Sequence, residues 1–132
     1  MLVSLLDTNL CIRALCDRPA NIRERLKAEF DTVCISTIVR YELYVGAAQA
    51  GDVMAKRREI DEFLSPFPCL PFGDDAAFHA AEIRVDLARR GNLIGPNDLL
   101  IAGHARSLGL KLVTGNLGEF SRVEGLRCED WL

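Results

Sequence analysis

The sequence predicts an α/β fold of three layers, α/β/α, with a mostly parallel central sheet. Two observations carry this. Short runs such as Met1–Leu6, Thr32–Ile35 and Leu110–Val113 are apolar or β-branched almost throughout. They lack the alternation of a strand with one face in water. Longer stretches with helical periodicity separate them, the arrangement that covers both faces of a parallel sheet. At 132 residues the chain has the size of one domain, taken as 1–132, and can bury a core without staples.

The elements follow in order. Met1–Leu6 reads as a buried strand, and Asp7-Thr8-Asn9 supplies capping side chains directly after it. Helical stretches over Leu10–Leu15 and Ala20–Phe30 flank Asp17-Arg18-Pro19. Thr32–Ile35 is a strand, and Ser36 caps a helix over Thr37–Gln49 that Gly51 follows. Ala55–Leu64 is a helix stopped by Pro66 and Pro68, and Cys69–Phe72 a brief strand. Asp74 or Asp75 caps a helix reaching Gly91, with Phe78, Ala81, Val85 and Ala88 as its apolar stripe. Pro96 suits the first position of a helix running to Ser107. Leu110–Val113 is a strand, Glu119-Phe120 a turn or short helix, and Leu126–Cys128 a last strand.

Composition removes several classes of function. Apolar residues make up 49% and charged residues 27%, which excludes a disordered tail. The 16 basic and 19 acidic residues give a net charge of −3, unlike a protein that coats nucleic acid by excess positive charge. No apolar run reaches the length of a membrane span. Met1–Leu6 has no basic region and meets Asp7 at once, unlike a signal peptide. Five cysteines without a CxxC pair predict free thiols in a reducing cytoplasm, not a disulfide scaffold or zinc finger.

Carboxylates that interrupt apolar patterns are the informative residues. On the helix from Thr37, Ile38, Tyr41, Val45 and Ala48 are the expected buried stripe, and Glu42 stands at its edge. On the helix from Pro96, Ile101, Ala102, Ala105 and Leu108 form the apolar side, with Asp98 on it in the first turn. Asp7 ends the first strand, where open α/β sheets bind ligands. Each acid has an ordinary reading: Asp7 as a helix cap, Asp98 as a charge favoured by a helix dipole, Glu42 as the partner of Arg40 or Arg57. Three acids on one rim repel one another, and a divalent cation relieves that repulsion. Oxygen ligands favour Mg²⁺ or Mn²⁺ over zinc. The rim beyond Leu110–Val113 adds Thr114, Asn116 and Glu119.

Four segments carry a family resemblance. Leu5-Leu6-Asp7-Thr8-Asn9, Tyr41-Glu42-Leu43 with Gly46-Ala47, Pro96-Asn97-Asp98 with Ile101-Ala102, and Val113-Thr114-Gly115-Asn116 with Glu119-Phe120 resemble the four motifs of PIN-domain ribonucleases. They are most similar to VapC toxins of bacterial toxin–antitoxin pairs, in the enteric branch whose members cut tRNA. The likeness extends to Gly125-Leu126-Arg127 and Glu129-Asp130-Trp131. It implies Asp7, Glu42 and Asp98 as catalytic and metal-holding acids, and cleavage by metal-activated water. A fourth acid of the family is often Asp in the last motif; Asn116 stands there, and Glu119 is the candidate to replace it. Thr8, Ser36, Thr114 and Asn116 would orient carboxylates or water. The resemblance further implies a VapB-type antitoxin, a homodimer, and operator DNA bound only through the antitoxin complex.

Setting aside Asp7, Glu42, Asp98 and Glu119 leaves 15 acids against 16 basic residues, so the rest of the surface can accept RNA. Thirteen of the basic residues are arginines, which fork onto phosphates. Arg13, Arg18, Arg23 and Arg25 are the phosphate candidates by sequence order. His79 and His104 read as hydrogen-bonded or exposed residues, and Tyr41, Phe78 and Trp131 as packing residues. Two other functions stay open at this point. One is an aspartate-nucleophile phosphatase, which usually carries a second Asp where this chain has Asn9. The other is a non-catalytic PIN-like binding module.

Overall fold

The computed structural model describes residues 1–18 and 20–132. Five strands form one sheet: β1 (Ser4–Leu6), β2 (Val33–Ser36), β3 (Cys69–Leu70), β4 (Lys111–Val113) and β5 (Cys128–Glu129). Their order is β3-β2-β1-β4-β5, and every adjacent pair is parallel. The sheet is therefore wholly parallel, not mostly so. Leu5, Leu6, Val33, Cys34, Ile35, Leu112 and Val113 are buried, as strands covered on both faces must be.

The helices are α1 (Thr8–Cys16), α2 (Ile22–Ala28), α3 (Thr37–Ala48), α4 (Val53–Leu64), α5 (Asp74–Arg89), α6 (Pro96–Ser107) and α7 (Leu117–Phe120). Pro19, in the expected break between α1 and α2, lies outside the described residues. The chain steps outward from β1 to β3, then returns to place β4 on the other side of β1. Right-handed crossovers then assign α1–α4 to one face and α5–α6 to the other. The reversal opens a crevice between the carboxyl ends of β1 and β4, where folds of this type bind ligands.

Several helices present a different face from the one their periodicity suggested. In α3 the buried residues are Val39, Leu43 and Ala47, while Tyr41 is 57% exposed and Val45 is also exposed. The segment is apolar on nearly every side, so spacing alone leaves its orientation open. In α5 the buried residues are Ala76, Ala80, Ile83 and Leu87, and Phe78 is 64% exposed. The reason lies in α6. A Cβ on Gly103 would come within 2.5 Å of the Ala80 backbone nitrogen. The two helices touch through glycine and alanine, so the small-residue face of α5 turns inward and Phe78 and Val85 turn out. Leu108, expected on the apolar side of α6, is 44% exposed as the cap beyond its last turn. Trp131 is buried, and Cys11 and Cys34 are buried free thiols. No helix among the described residues is long and apolar enough to cross a membrane.

Candidate active site

Asp7 follows β1 and starts α1. Its Oδ1 accepts the Leu10 N–H at 2.8 Å, so it does cap the helix. Its Oδ2 accepts the Thr114 hydroxyl from the end of β4 at 2.5 Å. The same Thr114 oxygen accepts the Asn116 N–H at 2.9 Å. Thr114 thus ties Asp7 to the loop after β4, across the crevice. Burial raises the Asp7 carboxyl above its ordinary value, and Glu42 and Asp130 push it the same way, against the hydrogen bonds that lower it.

Glu42 reaches the crevice from α3. Thr8 Oγ1 donates to its Oε1 at 2.5 Å, and Asn97 Nδ2 donates to its Oε2 at 3.3 Å. Arg40 and Arg57, its alternative partners, pair instead with Asp61 on α4. Asp98 stands in the first turn of α6. Its carboxyl is pushed up to about 7, first by burial, then by Glu119, Glu42 and Asp7. Gly95 makes room for it, since a Cβ there would lie 3.3 Å from Asp98 Oδ2. Glu119 Oε1 accepts the Gly95 N–H at 2.9 Å, and its Oε2 accepts Asn116 Nδ2 at 2.5 Å.

Asp7, Thr8, Asn9, Ile12, Glu42, Asp98, Asn116 and Phe120 line a cavity of about 280 Å³ here. The donors are oxygens, the acids are partly desolvated, and they repel one another. Such a set fits a hard divalent cation held by one or two carboxylates plus water, as Mg²⁺ is commonly held. Among the described residues, no three acids, histidines or cysteines already stand in the positions of one ion's ligands.

The remaining sequence candidates fall elsewhere. Ser36 Oγ accepts the Ile38 N–H at 3.1 Å and meets His104 Nδ1 at 2.8 Å. It caps α3 and fixes a buried histidine, and no hydrogen bond joins it to Asp7, Glu42 or Asp98. Burial lowers the His104 pKa, and its ring packs nearly perpendicular to that of Phe72, with centroids 5.6 Å apart. Arg23 donates to the Ala14 and Leu15 carbonyls at 2.7 and 2.6 Å, closing the end of α1. Arg25 lies 4.4 Å over the Trp131 ring and pairs with Glu129 at 3.0 Å. Arg13 is exposed beside Ile12 of the cavity wall. Arg18 lies past the far end of α1, roughly 15 Å along the helix from Asp7. Sequence reading assigned no role to Asn97, Gly95 or Asp130. Asn97 and Gly95 adjoin Asp98 in the chain, which was the available signal.

A three-layer parallel fold with acids at the β1/β4 crevice defines a class of protein, and comparison identifies it. The PIN-domain family profile matches residues 4–126. The chain belongs to the PIN-domain family. It is 44% identical over 131 residues, 99% of either chain, to the tRNA(fMet)-specific endonuclease VapC of Shigella flexneri. It is 41% identical over 132 residues, the whole of both chains, to ribonuclease VapC of Haemophilus influenzae. Its fold superimposes with a TM-score of 0.95 and 42% identity on a chain of the DNA-bound VapBC complex from Salmonella typhimurium, covering both chains fully. This membership leaves the phosphatase reading without support.

Proposed function

We propose that the protein is a Mg²⁺- or Mn²⁺-dependent endoribonuclease toxin that cuts tRNA and is restrained by a VapB-type antitoxin. The observation that carries the reading is the convergence of Asp7, Glu42 and Asp98 on one cavity at the β1/β4 crevice. Similarity to proteins named as tRNA(fMet)-specific endonuclease and as ribonuclease supplies the substrate class. The antitoxin, and operator DNA reached through it, follow from likeness to the DNA-bound VapBC complex. A homodimer and a bacterial cytoplasm belong to the same reading.

Asp7 and Asp98 would hold the ion, with Glu42 as the third acid. Such an ion, when bound, acidifies a water and offsets charge on the scissile phosphate. The chain's own part is positioning. Thr114 holds Asp7, and Thr8 and Asn97 hold Glu42. Asn116 and the Gly95 N–H hold Glu119 against Asp98. The cavity admits a short stretch of backbone with its scissile phosphate. Attack by water with O3′ as the leaving group, which takes up a proton, leaves a 5′-phosphate and a 3′-hydroxyl. The RNA 2′-hydroxyl takes no part, so no 2′,3′-cyclic phosphate forms. Inducible expression of the wild type and of Asp7→Ala, followed by sequencing of new RNA 5′ ends, tests the reading. New 5′-phosphate ends confined to the wild type support it. Identical ends in both strains refute it.

A further inference from the structure

The entry to α6 touches the acids on both sides of Asp98. Upstream, the Gly95 N–H holds Glu119 Oε1 at 2.9 Å. Next to Asp98 in the chain, Asn97 Nδ2 holds Glu42 Oε2 at 3.3 Å. The other oxygen of Glu42 is held by Thr8 of α1, so this carboxylate joins α1, α3 and α6. Thr8 adjoins Asp7, and Asn97 adjoins Asp98. Each hydrogen bond therefore links Glu42 to the residue beside another acid. Glu42 and Asp98 repel each other, and without a tether Glu42 can swing toward the solvent that half-exposes it. An amide suits the task. It donates to the carboxylate and adds no charge to a site already crowded with like charge, whereas a lysine there would compete with a cation.

We infer that Asn97 is a positioning residue, whose amide sets the spacing of Glu42 from Asp98 and so the affinity of the site for a divalent cation. The inference rests on the proposed metal-dependent function. Groups that orient metal-holding carboxylates typically matter by about 10- to 100-fold in metal affinity or activity. The bond is partly exposed and at 3.3 Å slightly longer than usual, so an effect at the low end, about tenfold, is expected. Asn97 stands in the first turn of a helix, where alanine is well accommodated. The fold therefore survives its removal.

The test is a Mn²⁺ titration of melting temperature on the wild type, Asn97→Ala and Asn97→Gln, alongside single-turnover cleavage of tRNA. Asn97→Ala should melt within about 3 °C of the wild type without metal. It should need roughly tenfold more Mn²⁺ for the half-maximal shift and lose cleavage rate at low Mn²⁺, recovering at high Mn²⁺. Asn97→Gln, which keeps the donor on a longer arm, should recover part of the Mn²⁺ affinity. A merely structural residue would lower the metal-free melting temperature and leave the Mn²⁺ midpoint alone. A wild-type midpoint in Asn97→Ala, with the wild type itself responding to Mn²⁺, overturns the role of Asn97 alone. A wild type that cleaves tRNA in chelator and shows no Mn²⁺ shift overturns the metal-dependent function and this role with it.

Discussion

Asp98 shows how one side chain is poised between function and stability. Folding moves its carboxyl from an ordinary 3.8 to about 7, through burial and three neighbouring acids. Between those values the folded protein holds a proton that the unfolded chain has released. Stability in the absence of metal therefore falls as pH rises through this window. Asp98→Asn removes the ionisable group and its repulsion. In chelator, melting temperatures from pH 4.5 to 8 should fall less steeply for Asp98→Asn than for the wild type, with the variant the more stable at pH 8. Glu42→Gln should likewise be at least as stable as the wild type without metal, while both variants lose tRNA cleavage. A variant that unfolds at pH 8 would show its carboxylate to be structural. Asn116 and Glu119 differ in kind from these acids. Each is tied to the other, and Glu119 is also tied to Gly95. Glu119→Gln should accordingly reduce cleavage less than Asp98→Asn, because an amide oxygen still accepts the Gly95 N–H.

Among the elements, α5 and α6 set the limits of reading periodicity. Both helices and the start of α6 at Pro96 are legible from sequence, because proline acts locally. The expected cap of α5 is not: Gly73 stands at the N-cap without a side-chain hydrogen bond, and Asp74 and Asp75 fall inside the first turn, where they favour the helix dipole instead. The buried face of α5 is not legible. Alanines occur all round it, and a stripe through Phe78 and Val85 is nearly as hydrophobic as the buried one through Ile83 and Leu87. The decision comes from Gly103, far away in sequence, which admits only a small neighbour at close range. Two outcomes follow. Leu87→Ala, at a fully buried position, should cost about 2–4 kcal/mol, whereas Phe78→Ala should change stability by less than about 0.5 kcal/mol. Gly103→Ala meets backbone atoms of Ala80, which cannot swing aside like a side chain. It should cost at least about 2 kcal/mol and lower the melting temperature by roughly 8 °C. Thermal unfolding monitored by circular dichroism separates these cases. The same distinction governs the site. Asp7, Glu42 and Asp98 stand out in the sequence as acids in apolar surroundings, and Thr8 and Thr114 as groups to orient them. Which acid each threonine holds, and the tether through Asn97, cross between elements and appear only in the fold.

At the scale of the whole molecule the question is how a domain this small selects an RNA. The acidic cavity of about 280 Å³ has room for little beyond the scissile backbone, so it cannot read a long sequence. Its walls include Ile12 and Asn9, and the exposed Arg13 adjoins Ile12 on α1. Arg23 and Arg25 are occupied by carbonyls, Trp131 and Glu129, so Arg13 is the sequence candidate best placed to meet a phosphate near the scissile bond. Selection must then come from RNA shape and a few unstacked bases, which single-stranded loops offer. A folded tRNA presents its anticodon loop at a fixed distance from a helical stem that basic residues can grip through phosphates. Total tRNA incubated with the protein and Mg²⁺ should yield one discrete pair of fragments from one or a few species, initiator tRNA among them, cut in the anticodon stem-loop. Asp7→Ala should yield none. Arg13→Ala should raise KM several-fold with kcat nearly unchanged, and flatten the dependence of binding on salt by about one phosphate contact. Uniform degradation of every RNA, or cleavage of messenger RNA with tRNA intact, would show that the cavity alone, without recognition of a folded substrate, directs the cut.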